Sequence, residues 1–243
     1  KAEDATNDWL QGYGYQFWRC QHHAYRGDGA FGQYCVVIPE KDMVVAITSE
    51  TSDMQAILNL IWKYLIPANQ LTRSQNDQMA TKKLTQKLNA LAFPPLVSPL
   101  TSTWVQKMNQ KPFVVEKNTL NVSEVKFDFK TDVCKISIKD DQGTHEFTCG
   151  LTKWHLGKSD LSTLPLKLAA TKGPNEKISK VAVSGKWVNQ GHFQVVCRFI
   201  ETAHYELIDW KFSENQMTMA YTRSLSVLDK TTDKRPRLVG KLV

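Results

Sequence analysis

The chain has 243 residues, 42% hydrophobic and 23% charged, with a net charge of +7 and a pI of about 9.1. That length suits one large or two ordinary domains, and the composition is that of a folded globular chain. No apolar run reaches the roughly 18 residues of a membrane-spanning helix. The lysines are scattered, with no run longer than Lys82-Lys83 and no aromatic-interleaved basic stripe, so nucleic acid is not an expected partner.

In chain order, residues 1–8 are polar and read as a loop. Gly12 to Cys20 is an aromatic-rich strand. Gly27-Asp28-Gly29-Ala30-Phe31-Gly32 is a glycine-rich corner, where φ > 0 is permitted. Tyr34–Ile38 and Met43–Thr48 form a hairpin around the turn Pro39-Glu40-Lys41-Asp42. Thr51, Ser52 and Asp53 supply helix-capping chemistry, and Ile57, Leu58, Ile61, Trp62 and Leu65 recur at helical spacing. Pro67 is expected to end that helix. Its stripe should cover one face of a three-stranded meander and leave the other face open. After a linker at 67–74, Asn76 to Ala92 reads as an amphipathic helix with Met79, Leu84, Leu88 and Leu91 along one side. Pro94-Pro95 and Pro99 break it off.

From about residue 101 the pattern has period two. Val125, Phe127 and Phe129 alternate with charged residues, as do Cys134, Ile136 and Ile138. Phe147 and Cys149, Val181 and Val183, Phe193 to Phe199, Ile208 to Phe212 and Met217 to Tyr221 follow suit. Turn residues separate them at Asp141-Gln142-Gly143, Gly173-Pro174-Asn175, Asn189-Gln190-Gly191 and Ser213-Glu214-Asn215. Eight or so short antiparallel strands predict a closed barrel or sandwich.

The five cysteines, Cys20, Cys35, Cys134, Cys149 and Cys197, include no Cys-x-x-Cys. Neither they nor His22-His23 has metal-site spacing, so no metal or cofactor is expected. Cys20 with Cys35, or Cys134 with Cys149, are pairs that neighbouring strands could bring together, and sequence leaves the choice open.

The string Gly32-Gln33-Tyr34-x-Val36-Val37-x-Pro39-Glu40-x-Asp42, behind its glycine turn, resembles the end of the class C-like β-lactamase and penicillin-binding-protein superfamily of serine hydrolases. Gly12 to Trp18 is similar to that family's preceding strand, and Ser52 to Leu65 to its last helix. The resemblance covers residues 9–66. It implies an α+β fold: a three-stranded antiparallel meander and C-terminal helix of a β-lactamase-like domain (1–66), a helical linker (67–100), and an antiparallel, lipocalin-like β-barrel (101–243). Ser184-Gly185-Lys186-Trp187 and Phe212 to Asn215 resemble a β-domain appended to such hydrolases. The resemblance further implies that Gly27, Asp28 and Gly29 occupy the third catalytic motif, that the Ala30 N–H belongs to an oxyanion hole, and that the protein is periplasmic or secreted.

The family's Ser-x-x-Lys occurs here only as Ser123-Glu124-Val125-Lys126, in an alternating strand pattern, and Tyr-x-Asn does not occur. The chain is therefore expected to be an inactive C-terminal fragment of a hydrolase acting on an ester, amide or β-lactam. The rest of that polypeptide, or a homodimer mate, would cover the 1–66 sheet. The other expectation is a non-catalytic module whose barrel binds a small apolar ligand or serves as a lid or dimer surface.

Overall fold

The computed structural model describes residues 4–68, 78–99, 101–160, 178–224, 226, 230 and 232–243. The chain divides into two compact units, Lys1–Phe93 and Pro94–Val243.

The first unit is an antiparallel five-stranded meander in sequential order: β1 (Tyr13–Gly14), β2 (Phe17–Arg19), β3 (Tyr25–Gly29), β4 (Gln33–Ile38) and β5 (Met43–Ile47). Alternation sorts its two faces. Tyr34, Val36 and Ile38 pack with Leu58, Ile61 and Trp62, while Phe17, Tyr25 and Val44 lie on the open face. The glycine corner differs from its expected form. Gly27 and Gly29 are strand residues, and the left-handed conformations fall at Phe31 (φ 66°) and Gly32 (φ 88°). Gly32 is required there, because a Cβ would also lie 2.5 Å from Ser49 Oγ.

Asp53 caps helix α1 (Met54–Leu60), its Oδ1 accepting from the Ala56 N–H at 3.0 Å. A π-helical stretch, Ile61–Leu65, and a last turn α2 (Ile66–Ala68) carry the helix through Pro67, past its expected end. Helix α3 (Gln78–Asn89) is amphipathic, yet Met79, Leu84 and Leu88 are all exposed.

The second unit opens with α4 (Trp104–Met108) and holds ten strands: β6 (Pro112–Val115), β7 (Glu124–Phe129), β8 (Val133–Lys139), β9 (Thr144–Gly150), β10 (His155–Ser159), β11 (Ser179–Asn189), β12 (His192–Phe199), β13 (Tyr205–Ser213), β14 (Gln216–Arg223) and β15 (Leu238–Leu242). Nine of them form a ring in the order β11-β12-β13-β14-β15-β6-β7-β8-β9. A single bridge, Ser184 to Gly150, closes the ring, and β10 pairs with β11 beside that seam. The unit is thus a closed β-barrel, and the period-two residues are its interior. The turn expected at Gly173-Pro174-Asn175 lies outside the described residues.

Candidate ligand site at the barrel mouth

Strand register stacks the inward side chains into rows. One step in from α4, past Phe212 and Met217, the row is Trp187, Phe193, Trp210, Met219 and Leu238. The next is Gly185, Val195, Ile208 and Tyr221. The third is Val183, Cys197, Glu206 and Arg223. Side-chain bulk therefore falls along the axis, and charge appears at one end.

The α4 end is plugged. Phe129, Trp187 and Phe193 are in mutual ring contact, and Phe127 packs edge-on to Trp210 and Phe212. Trp104 of α4 lies 5.4 Å from Phe212. Such contacts, at centroid distances favoured by the ring quadrupoles, make this end solid.

The other end is built differently. Glu206 follows the parity of Ile208 and Trp210, so its carboxylate points inward, 3% exposed. Burial pushes its acid up, and the neighbouring Arg235 opposes that shift. Arg235 Nη2 meets Glu206 Oε1 as an ion-pair contact. Arg235 is also held by Asp233, with Nε 3.0 Å from Oδ1 and Nη2 2.7 Å from Oδ2. Burial would raise Asp233, but these hydrogen bonds hold it down at about 2. The Arg235 guanidinium also lies over the Tyr221 ring, 4.3 Å from its centroid. Asp233 Oδ2 accepts from the Arg223 backbone N–H at 3.2 Å, which ties residues 233–235 to the end of β14.

Arg223 stands apart in this cluster. Its Nε is buried and has no hydrogen-bond acceptor among the described residues, and deeper in the barrel the same holds for Trp210 Nε1. Two donors inside the barrel are therefore unspent, against a strong tendency for buried donors to be paired.

On the mouth's opposite rim, His145 bridges two carboxylates, Nε2 to Asp140 Oδ1 at 3.0 Å and Nδ1 to Asp160 Oδ2 at 2.6 Å. Burial alone would lower His145, but the two acids raise it. A groove on the barrel's outer wall, lined by Gln110, Lys126, Asp128, Lys135, Ser137 and Glu146, is self-satisfied by contrast. There Lys135 pairs with Glu146 at 2.8 Å and Gln110 donates to Asp128 at 3.1 Å.

The residues singled out by sequence lie in the other unit. Gly27, Asp28 and Gly29 are consecutive in β3, and Ala30 starts the turn after it. Asp28 Oδ2 accepts from Arg26 Nε at 2.9 Å. Arg26 is fully buried. It donates through Nη1 to the Asp8 carbonyl at 3.1 Å and lies over the ring of Trp9, 4.5 Å from its centroid. The carboxylate of Asp8 accepts from Gln21, Gln55 and the Trp62 indole, so this polar centre staples residues 8–9 to sheet and helix. Ser123 immediately precedes β7, and Lys126 is in that strand, so Ser-x-x-Lys is not at a helix start.

No family model matches the chain, and no curated protein matches it. Among solved structures it is similar to a fatty-acid-binding protein isolated from Manduca sexta L, at 8% identity and a TM-score of 0.35, over 55% of this chain and 98% of that one. These findings correct the expected relation to β-lactamase-related serine hydrolases: neither whole-chain comparison with sequences returns it. The short string in residues 9–66 reflects what any tight hairpin followed by a capped helix demands, namely glycine, Pro-Glu-x-Asp and β-branched pairs. The α+β class built on it is corrected likewise: the chain is mostly β, with a closed barrel as its larger part.

Proposed function

We propose that the chain is a non-catalytic binding module whose barrel receives a small molecule at its mouth. The observation that carries this reading is the row Val183, Cys197, Glu206 and Arg223, where aliphatic lining meets inward charge and a buried, unspent Arg223 Nε. Ligand sites combine an apolar wall with a few convergent polar groups, and barrel mouths are common places for them. The plugged α4 end confines the ligand to the outer half. The ligand that fits has an apolar body, set against Val181, Val183 and Ile208, and one hydrogen-bond acceptor for Arg223. Arg235 is already engaged by Glu206 and Asp233 and serves to hold the mouth in shape.

Anilinonaphthalene sulfonate, with an apolar body and an anionic acceptor, is a suitable probe. Saturable fluorescence enhancement is expected with the folded chain. Arg223→Met keeps the flexible stem of the side chain and removes the guanidinium, while Glu206 retains Arg235. It should weaken binding roughly 10- to 100-fold, the worth of one hydrogen bond to a charged group. Val44→Ser, on the open sheet face of the first unit, should leave the affinity unchanged. Binding that is lost in Val44→Ser and retained in Arg223→Met would place the site elsewhere and overturn the proposal.

A further inference from the structure

All five cysteines are free thiols in the structure, but their placement separates the two pairings that sequence left open. Cys20 is buried on the helix-covered side of the five-stranded sheet, where its Sγ accepts from Arg26 Nη1 at 3.1 Å. Cys35 is exposed and aligned with Gly27 and Ala46 on the other face. The sheet lies between them, so they cannot be joined without unfolding it.

Cys134 and Cys149 are in a different position. They are direct partners in the antiparallel register of β8 and β9. Both side chains follow the inward parity of Ile136 and Phe147, and both residues are fully buried. Directly paired residues in antiparallel strands have Cα atoms about 4.5–5.5 Å apart, inside the range a disulfide spans. The thiols also interact: burial first, then the contact with Cys149, holds the Cys134 thiol above its usual range. The third interior cysteine, Cys197, is paired across strands with Val183 and Glu206 and has no cysteine opposite it.

We infer that Cys134 and Cys149 are an oxidisable pair that forms a disulfide across β8 and β9 inside the barrel. The reaction is thiol–disulfide exchange with a small disulfide oxidant. One thiolate attacks the oxidant's sulfur and releases a thiol. The second thiolate then displaces the remaining half, so that two protein thiols become one disulfide and the oxidant becomes two thiols. The native pair is fully buried, out of reach of an oxidant in solution, so exchange belongs to the folding chain, when the β8–β9 hairpin has formed and the ring has not closed. This inference is independent of the ligand reading, since the pair is in register with Phe129 of the plugged end and away from the charged row.

The test is oxidative refolding of the full chain. It is unfolded in urea and refolded in oxidised and reduced glutathione, and in parallel with reductant alone. Thiols are then counted in denaturant and peptides are mapped by mass. The expected product of the oxidising arm is a monomer with three thiols instead of five, a mass lower by two hydrogens, and a 134–149 cross-linked peptide. Its thermal midpoint should exceed that of the reduced arm by several degrees. Cys35→Ser, which removes the exposed thiol, should retain the cross-link, and Cys149→Ser should abolish it. Five thiols after oxidative refolding, or a cross-link that maps to any other pair, would overturn the inference. If the chain refolds only with reductant, the oxidised hairpin is incompatible with the barrel, and the inference also fails.

Discussion

Glu206 and Asp233 are both carboxylates on Arg235, yet their acid strengths move in opposite directions. Glu206 is buried deeply enough to outweigh the arginines beside it, and its folded value is above the ordinary 4.5. The folded state therefore holds that proton more tightly than the unfolded chain does, and stability rises as pH falls toward the Glu206 value. Asp233 is held at about 2 against an ordinary 3.8, so its contribution is present above 3.8 and is lost as pH falls through 2. The urea midpoint of the wild type, followed from about pH 8 to about pH 3, should first rise and then fall. In Glu206→Gln the part of the rise nearest pH 4.5 should disappear, while the part due to His145 and the fall below about pH 4 remain. A variant profile that superimposes on the wild type would show that Glu206 does not titrate as its surroundings require. His145 contributes with the same sign as Glu206, at higher pH. Its raised value makes its two-acid clamp fully effective below the ordinary 6.5 and weaker as pH climbs past the folded value.

At the scale of elements, the barrel strands were the most legible part of the sequence. Alternation at Val125-Phe127-Phe129 and Cys134-Ile136-Ile138 reports directly which residues face inward. The charged row was legible by the same rule, because Glu206 and Arg223 keep the parity of Ile208 and Tyr221, but a search for apolar alternation stops one residue short of each. The Arg235–Asp233 bracket was not legible at all, since it depends on how residues after β14 return to the strand ends. Helix α3 shows the converse failure. Its apolar spacing is real, but amphipathicity specifies a face and not what the face meets. Leu84 is 57% exposed. Leu84→Ser should accordingly change the unfolding free energy by less than about 0.5 kcal/mol, as judged from thermal or urea melts. A loss of about 2 kcal/mol or more would mean that the side chain is buried in solution.

For the whole molecule, the deciding feature is how the ring is joined. Every other neighbouring pair in the ring is antiparallel and shares several residues, whereas β9 and β11 share one bridge, Ser184 to Gly150. The chain crosses itself tightly there: a Cβ on Gly150 would be 1.9 Å from the Lys153 carbonyl oxygen. Any side chain at 150 would displace the turn that leads from β9 into β10. A sheet with that joint undone is an open ribbon with two free edges, each able to template another chain.

The seam thus makes the barrel a clasp rather than a hoop. Two joints of the ring bring together residues far apart in sequence, this seam and β15 with β6, and the seam is the one held by a single bridge, so it is the easier to open. Amide exchange should report this difference. The amides of residues 148–151 should open at lower free energy than those of β12 and β13, in the middle of the ribbon. Gly150→Ala should widen that difference, and at raised concentration its partly opened chains should join edge to edge. Uniform protection around the ring, unchanged by the substitution, would mean that the clasp is as strong as the band it fastens.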